Sequence, residues 1–144
     1  MPSSTRLVRV TILLAAISCA AIIAYWMIWF FVDRSWLASL DTPAYYAFEN
    51  AFPAADAWLA VGCAATVWAL VARRSSALLW LVVAGSAGIY LGLMDVLFDV
   101  ENGVYATPGG GAVVEAIINV FSFVIGAWNL WFGWHYRRAW LALE

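Results

Sequence analysis

The sequence predicts an all-α integral membrane protein, a bundle of four transmembrane helices with both termini in the cytoplasm. Of its 144 residues, 66% are hydrophobic and 11% are charged, whereas soluble domains have about 45–50% apolar and about 25% charged residues. Four long stretches have no charged residue, and the arginines lie beside them at alternate ends. A chain of 144 residues with this hydrophobic fraction cannot bury its apolar surface in one core, so it needs lipid around it. We therefore predict a single transmembrane domain over residues 1–144.

Each of the four charge-free stretches is long enough, or nearly so, to cross a bilayer. They cover residues 10–32, 57–72, 75–94 and 116–134, and a helix needs about 20 residues to cross a hydrocarbon core about 30 Å thick. The second stretch is short, but Pro53 suits the first turn of a helix and extends it. We predict transmembrane helices at 10–32, 53–72, 75–98 and 112–135.

The first stretch also resembles the apolar core of a secretory signal peptide, because Arg6 and Arg9 precede it. Such cores have about 7–15 residues and are followed by a cleavage site of the A-x-A type. The stretch at 10–32 is longer, and no such site precedes the aromatic residues at 25–31. We expect a retained transmembrane helix.

The arginines indicate the orientation of the bundle. Positive residues mark the cytoplasmic side of a membrane protein, and six of the seven arginines flank the predicted helices on one side, while Arg34 lies on the other. The six are Arg6, Arg9, Arg73, Arg74, Arg137 and Arg138. Because the chain has no lysine and is rich in alanine and tryptophan, it is typical of a GC-rich bacterial gene. The predicted location is the bacterial inner membrane, with multiple passes.

The outer connections are longer than the inner turn. Residues 33–52 carry seven large apolar or aromatic side chains, so we predict a partly helical segment that lies in the membrane interface across the mouth of the bundle. Residues 99–111 contain Asn102, Gly103 and a proline–glycine run, which stop one helix and permit a turn before the next. Residues 136–144 form a predicted cytoplasmic tail.

Small and polar residues form a stripe along each of the last two predicted helices, at the spacing of one helix face. The stripe on the third helix is Gly85, Gly88, Gly92, Asp95 and Asp99. That on the fourth is Glu115, Asn119, Ser122, Gly126, Asn129 and Gly133. Such residues let membrane helices approach closely and bond to one another, so both stripes are predicted to face inward. Ordinary packing accounts for most of them, while Asn119 shares its face with an acid.

Acids gather at the predicted outer mouth and, with Asn119, form the candidate site for a ligand or cation. They are Glu49, Asp56, Asp95, Asp99 and Glu115. The helix dipole favours a negative charge at a helix N-terminus and opposes one at a C-terminus. Asp56 and Glu115 are predicted at N-termini, so simple capping is one explanation for them and the candidate site is the other.

Asp95 and Asp99 are predicted at a helix C-terminus, four residues apart, where the dipole opposes them and they repel each other. Protonation, a bound cation, Arg34 or water would compensate. Two interpretations stay open: acids that are solvated or paired with Arg34, and a functional site for a proton or a hard cation such as Ca²⁺, which prefers oxygen ligands. The identity of any metal stays unknown.

Several chemistries find no support in the sequence. It has no C-x-x-C pair, nucleophile elbow, P-loop or H-E-x-x-H motif, and its single histidine, His135, lies at the opposite end of the bundle from the acids. A net charge of −2 gives no basic field for nucleic acid. We expect neither a cofactor nor a nucleic-acid partner.

Three functions fit these observations. The first is a non-enzymatic bundle in the lipid bilayer that binds a lipophilic ligand or a membrane protein partner at its outer face. The alternative is transport or binding of a proton or cation through the acids. The third is an enzyme that acts on lipid with its carboxylates.

Overall fold

A computed structural model of the chain describes residues 5–108 and 110–142, and this part of the chain is helical without a strand. Two short helices accompany four long ones, and single turns of 3₁₀ or π helix lie at Trp29–Asp33, Arg34–Trp36 and Val104–Ala106. The helices are α1 (Thr5–Ile28), α2 (Pro43–Glu49), α3 (Pro53–Val71), α4 (Ala77–Glu101), α5 (Gly110–His135) and α6 (Arg137–Leu141). By length and composition, α1, α3, α4 and α5 can each cross a membrane.

The helix boundaries follow local backbone chemistry. Proline at the first turn of α3 needs no hydrogen bond from its nitrogen, and α3 begins at Pro53 as the sequence predicts. The third predicted helix, 75–98, is observed from Ala77 to Glu101, so it extends into the predicted loop 99–111. It ends where Asn102 caps it and Gly103 adopts a φ of +68°, a left-handed conformation that favours glycine.

The predicted loop and tail are more helical than the sequence suggests. Gly110 begins α5, two residues before the predicted start at 112. The predicted tail contains α6, whose Trp140 is fully buried. Residue 109 of the proline–glycine run and residues 143–144 of the tail lie outside the described part.

The four long helices pack in the order α1, α3, α4, α5, and α4 and α5 form the most extensive contact. Their axes approach closely at two glycines. A Cβ atom on Gly126 would lie 2.7 Å from Ile89 Cγ1, and one on Gly85 would lie 2.9 Å from the carbonyl oxygen of Gly126. Only glycine fits these positions without a shift of the neighbouring atoms, as expected at a close helix crossing.

We call the two ends of the bundle the arginine end, where Arg73 and Arg74 connect α3 to α4, and the acidic end, where α1 and α4 finish. The arginine end is tightly packed. Its core, fully or almost fully buried, consists of Ala69, Leu70, Ala77, Leu81, Phe132 and Trp140. Above this core, Trp128 of α5 donates a hydrogen bond of 2.9 Å to the Thr11 hydroxyl of α1. These contacts close the arginine end.

Candidate functional site

The segment between α1 and α3, residues 29–52, folds across the acidic end of the bundle, and we call it the covering segment. Within it, α2 begins at Pro43, and the side chain of Thr42 accepts a hydrogen bond from the backbone N–H of Tyr45 as an N-cap. The Phe48 ring stacks on the Phe98 ring of α4, with centroids 3.8 Å apart. The segment is therefore partly helical, as predicted, and it is held against α4.

This segment also reaches α5 through Glu115. The Tyr45 hydroxyl donates a hydrogen bond of 2.7 Å to Glu115 Oε1, and the Ser39 hydroxyl donates one of 2.9 Å to the same oxygen. Tyr45 is fully buried and Glu115 is 3% exposed. Two neutral donors thus hold one oxygen of this carboxylate in place.

Aromatic side chains near the end of α1 hold two more acids in the same way. The Tyr25 hydroxyl donates to Glu49 Oε2, and the Trp26 indole donates to Asp56 Oδ2, each at 2.9 Å. The indole of Trp29, in the π-helical turn that ends α1, donates to Asn50 Oδ1 at 3.0 Å. The first bond joins α1 to the covering segment and positions Glu49, whereas the second joins α1 to α3 and positions Asp56.

Beneath the covering segment lies a cavity of about 420 Å³ between the four long helices. Four acids line its acidic end, and most of its remaining wall is apolar. The acids are Glu49, Asp56, Asp95 and Glu115. The apolar wall includes Ile22, Leu59, Leu91, Phe121 and Ile125. Such a cavity, apolar with a few convergent polar groups, is the usual form of a site for a small molecule.

The cavity opens sideways between α1 and α5. Ile17 of α1 and Ile117 of α5 both line it, and they are 47% and 63% exposed. Ala21 of α1 also lines it and is exposed. Because these residues belong both to the cavity wall and to the apolar outer surface of the bundle, the two surfaces are continuous there.

Asp99 and Asn119 lie beside the cavity in a separate network. The Asn119 amide donates to Asp99 Oδ2 at 3.0 Å and to the Tyr105 hydroxyl at 2.8 Å. Burial and the hydrogen bond to Asp99 raise the pKa of Tyr105 to about 12, so its hydroxyl stays neutral and can donate. Arg34 lies over the Tyr46 ring instead, 4.1 Å from its centroid. Neutral donors therefore stabilise Asp99.

The six residues predicted for the site are thus divided between two places. The structure brings four of them together in the cavity, and it places Asp99 and Asn119 next to it. In the described ranges 5–108 and 110–142, no group of three or more His, Cys, Asp or Glu residues has the arrangement to hold a metal ion. Both cysteines, Cys19 and Cys63, are free thiols.

The sequence did not single out the donors that position the acids. Tyr45 and Ser39 were part of an apolar segment whose contacts depend on how it folds back over the bundle. Asn129 belonged to the inward stripe and was explained by packing, yet it lines the cavity. The spacing of the stripe already indicated that the Asn129 side chain faces the inside of the bundle.

No protein-family model, no curated protein and no solved structure matches the chain. A function for this chain is therefore inferred from the residues that line the cavity.

Proposed function

We propose that this protein binds a lipophilic molecule in the cavity between its four long helices. The observation that carries the proposal is a cavity of about 420 Å³ with an apolar wall, four acids at one end and an opening on the apolar face between α1 and α5. The apolar wall matches an apolar body through van der Waals packing, since a molecule that comes from lipid has already left water, and the acids orient its polar group.

We further propose that the bundle lies in a bacterial inner membrane, with the arginine end in the cytoplasm and the covering segment at the outer interface. The described arginines at the arginine end support this orientation, because positive residues are retained on the cytoplasmic side. The opening between α1 and α5 then faces lipid, and a ligand reaches the cavity from the bilayer.

Photolabelling tests the binding proposal. The probe is a long-chain alcohol that carries a diazirine, added to the protein in lipid nanodiscs with and without excess unlabelled dodecanol. We expect saturable labelling of cavity residues such as Leu59 and Ile125, which dodecanol suppresses. Ala21→Phe, which places a ring in the opening, should reduce this labelling about tenfold or more.

Ala24→Phe is the matched control, since Ala24 is exposed on α1 and is not among the residues that line the cavity. It should label like the unmodified chain. Labelling that spreads over the outer surface, resists competition and is equal in both variants contradicts the proposal.

Transport of a proton or cation through the acids remains the alternative proposal. The structure supports it less well, because the described core at the arginine end consists of closely packed apolar and aromatic side chains. A flux in reconstituted liposomes that disappears in Asp95→Asn would favour it. The third candidate function is catalysis on lipid by the carboxylates. Measured turnover of a lipid by the purified protein would support it.

A further inference from the structure

We propose that the ligand is a lipophilic amine: its protonated nitrogen lies among the acids, and a second hydrogen-bonding group lies at the far end of its apolar body. This inference rests on the proposed function, because it assigns the chemistry of the molecule in the same cavity. Charge complementarity, an unpaired carboxylate and an unpaired buried amide support it.

The charges of the cavity wall have one sign. Its lining residues include four acids and, within the described part of the chain, no arginine, lysine or histidine. The groups that bond to these acids are hydroxyls and an indole. Charges buried away from water are found with a partner of opposite charge, and a protonated amine supplies one together with up to three hydrogen-bond donors.

Asp95 is the acid best placed to receive that amine. Three of the four acids have an oxygen held by a neutral donor, whereas the Asp95 carboxylate takes no hydrogen bond from the described residues. It lies within electrostatic reach of Glu115 and Glu49. The carboxylates around it are positioned in advance, and Asp95 itself is open to a donor in the cavity.

Asn129 supplies the independent observation at the opposite end. It lines the cavity and is 1% exposed, and neither its amide nitrogen nor its amide oxygen has a hydrogen-bonding partner in the described structure. A buried polar group without a hydrogen-bonding partner is destabilising. A ligand with a hydroxyl or carbonyl at this depth would satisfy it.

The length of the cavity separates the two polar groups. Gly92 of α4 lies level with Ser122 of α5, since a Cβ atom on Gly92 would lie 3.3 Å from Ser122 Cβ. Asp95 is three residues from Gly92 towards the acidic end and Asn129 is seven residues from Ser122 towards the arginine end, so about 15 Å of helix axis separates them. The wall between them is mainly apolar, with Ile118, Phe121 and Ile125 on α5. The ligand is therefore expected to be elongated and polar at both ends, rather than a simple fatty amine.

Competition for the same photolabel tests this inference. The competitors are dodecanol, dodecylamine and an amino alcohol of the same chain length with its hydroxyl on the far terminal carbon, all at neutral pH. A charge-assisted hydrogen bond is roughly twice as strong as a neutral one. We expect dodecylamine to compete at least about tenfold better than dodecanol, and the amino alcohol to compete better still.

Two variants assign these preferences to residues. Asp95→Asn should remove the advantage of dodecylamine over dodecanol, while Glu101→Gln, at an exposed acid at the end of α4, should leave it unchanged. Asn129→Leu should remove the advantage of the amino alcohol over dodecylamine. In each variant, competition by dodecanol serves as the check that the cavity is intact.

The outcomes separate this inference from the function beneath it. If dodecanol competes as well as dodecylamine in the unmodified protein, the cationic ligand is wrong and the lipophilic site stands. If the amine preference survives in Asp95→Asn, the placement of the amine is wrong. If no compound competes, both proposals are overturned.

Discussion

At the scale of single residues, neutral hydrogen-bond donors hold the acids in place. Tyr25, Trp26 and Tyr45 each direct a hydroxyl or indole N–H at a carboxylate oxygen. A neutral donor orients a carboxylate without cancelling its charge, whereas an arginine would orient the carboxylate and also neutralise it. The carboxylates of the cavity thus have no cationic partner among the donors that hold them, as the proposed amine requires.

Tyr45 and Tyr46 offer a direct comparison of a buried and an exposed donor. Tyr45→Phe should lower the free energy of unfolding by about 1–2 kcal/mol, because buried Glu115 loses one of its two donors. Tyr46→Phe should change it by less than about 0.5 kcal/mol, because its bond to Asp41 is exposed. Thermal unfolding in detergent, followed by tryptophan fluorescence, measures both. Equal effects would mean that the Tyr45–Glu115 contact does not stabilise the fold.

At the scale of elements, the cavity exists because the four helices are joined unequally. Glycines bring α4 and α5 into close contact, whereas α1 and α5 meet through the hydrogen bond of Trp128 to Thr11 near the arginine end. Towards the acidic end, the covering segment with α2 spans the space that remains. The close contact of α4 with α5 and the sparse contact of α1 with α5 together leave the cavity and its side opening.

Two glycines on α4, one turn apart, test the tight pair. Gly85→Ala should destabilise the bundle by about 1–3 kcal/mol, because its Cβ would lie 2.8 Å from Leu130 Cγ and 2.9 Å from the Gly126 oxygen. Gly88→Ala meets its nearest atom at 3.6 Å and gains helix propensity, so it should be neutral or stabilising. Unfolding titrations of the purified variants measure the difference, and a Gly88→Ala variant as unstable as Gly85→Ala would contradict this account.

At the scale of the whole molecule, the fold was largely predictable from the sequence and the cavity was not. Four apolar runs and the proline at position 53 predict the four long helices, because each run has close to the roughly 20 apolar residues that a membrane-spanning helix needs. The stripes on α4 and α5 indicated their inward faces, and Gly85, Gly126 and Asn129 are buried accordingly.

The rest depends on contacts between residues that are distant in the chain. Tyr45 and Glu115 are 70 residues apart, and no local pattern pairs them. The end of α4 was missed because Asp99, Val100 and Glu101 resemble a helix terminus in composition, whereas the backbone turns only at Gly103. A cavity between helices has no sequence pattern of its own, because its size depends on how the side chains of all four helices pack against one another.

The orientation of the molecule in the membrane is tested with exposed alanines at the two ends. In a variant without Cys19 and Cys63, Ala106→Cys lies at the acidic end and Ala72→Cys at the arginine end, and both alanines are exposed. A membrane-impermeant maleimide added to intact cells should label Ala106→Cys, and should label Ala72→Cys only after lysis. The reverse pattern contradicts the orientation, and recovery of the chain in the soluble fraction contradicts membrane insertion.

The side opening between α1 and α5 has a consequence for how the cavity is supplied. If the bundle lies in the membrane as proposed, a molecule that arrives by this route never crosses open water, so its availability is governed by its mole fraction among the lipids. Strong partitioning into the bilayer then raises the local concentration by orders of magnitude, and a weak intrinsic affinity suffices for full occupancy.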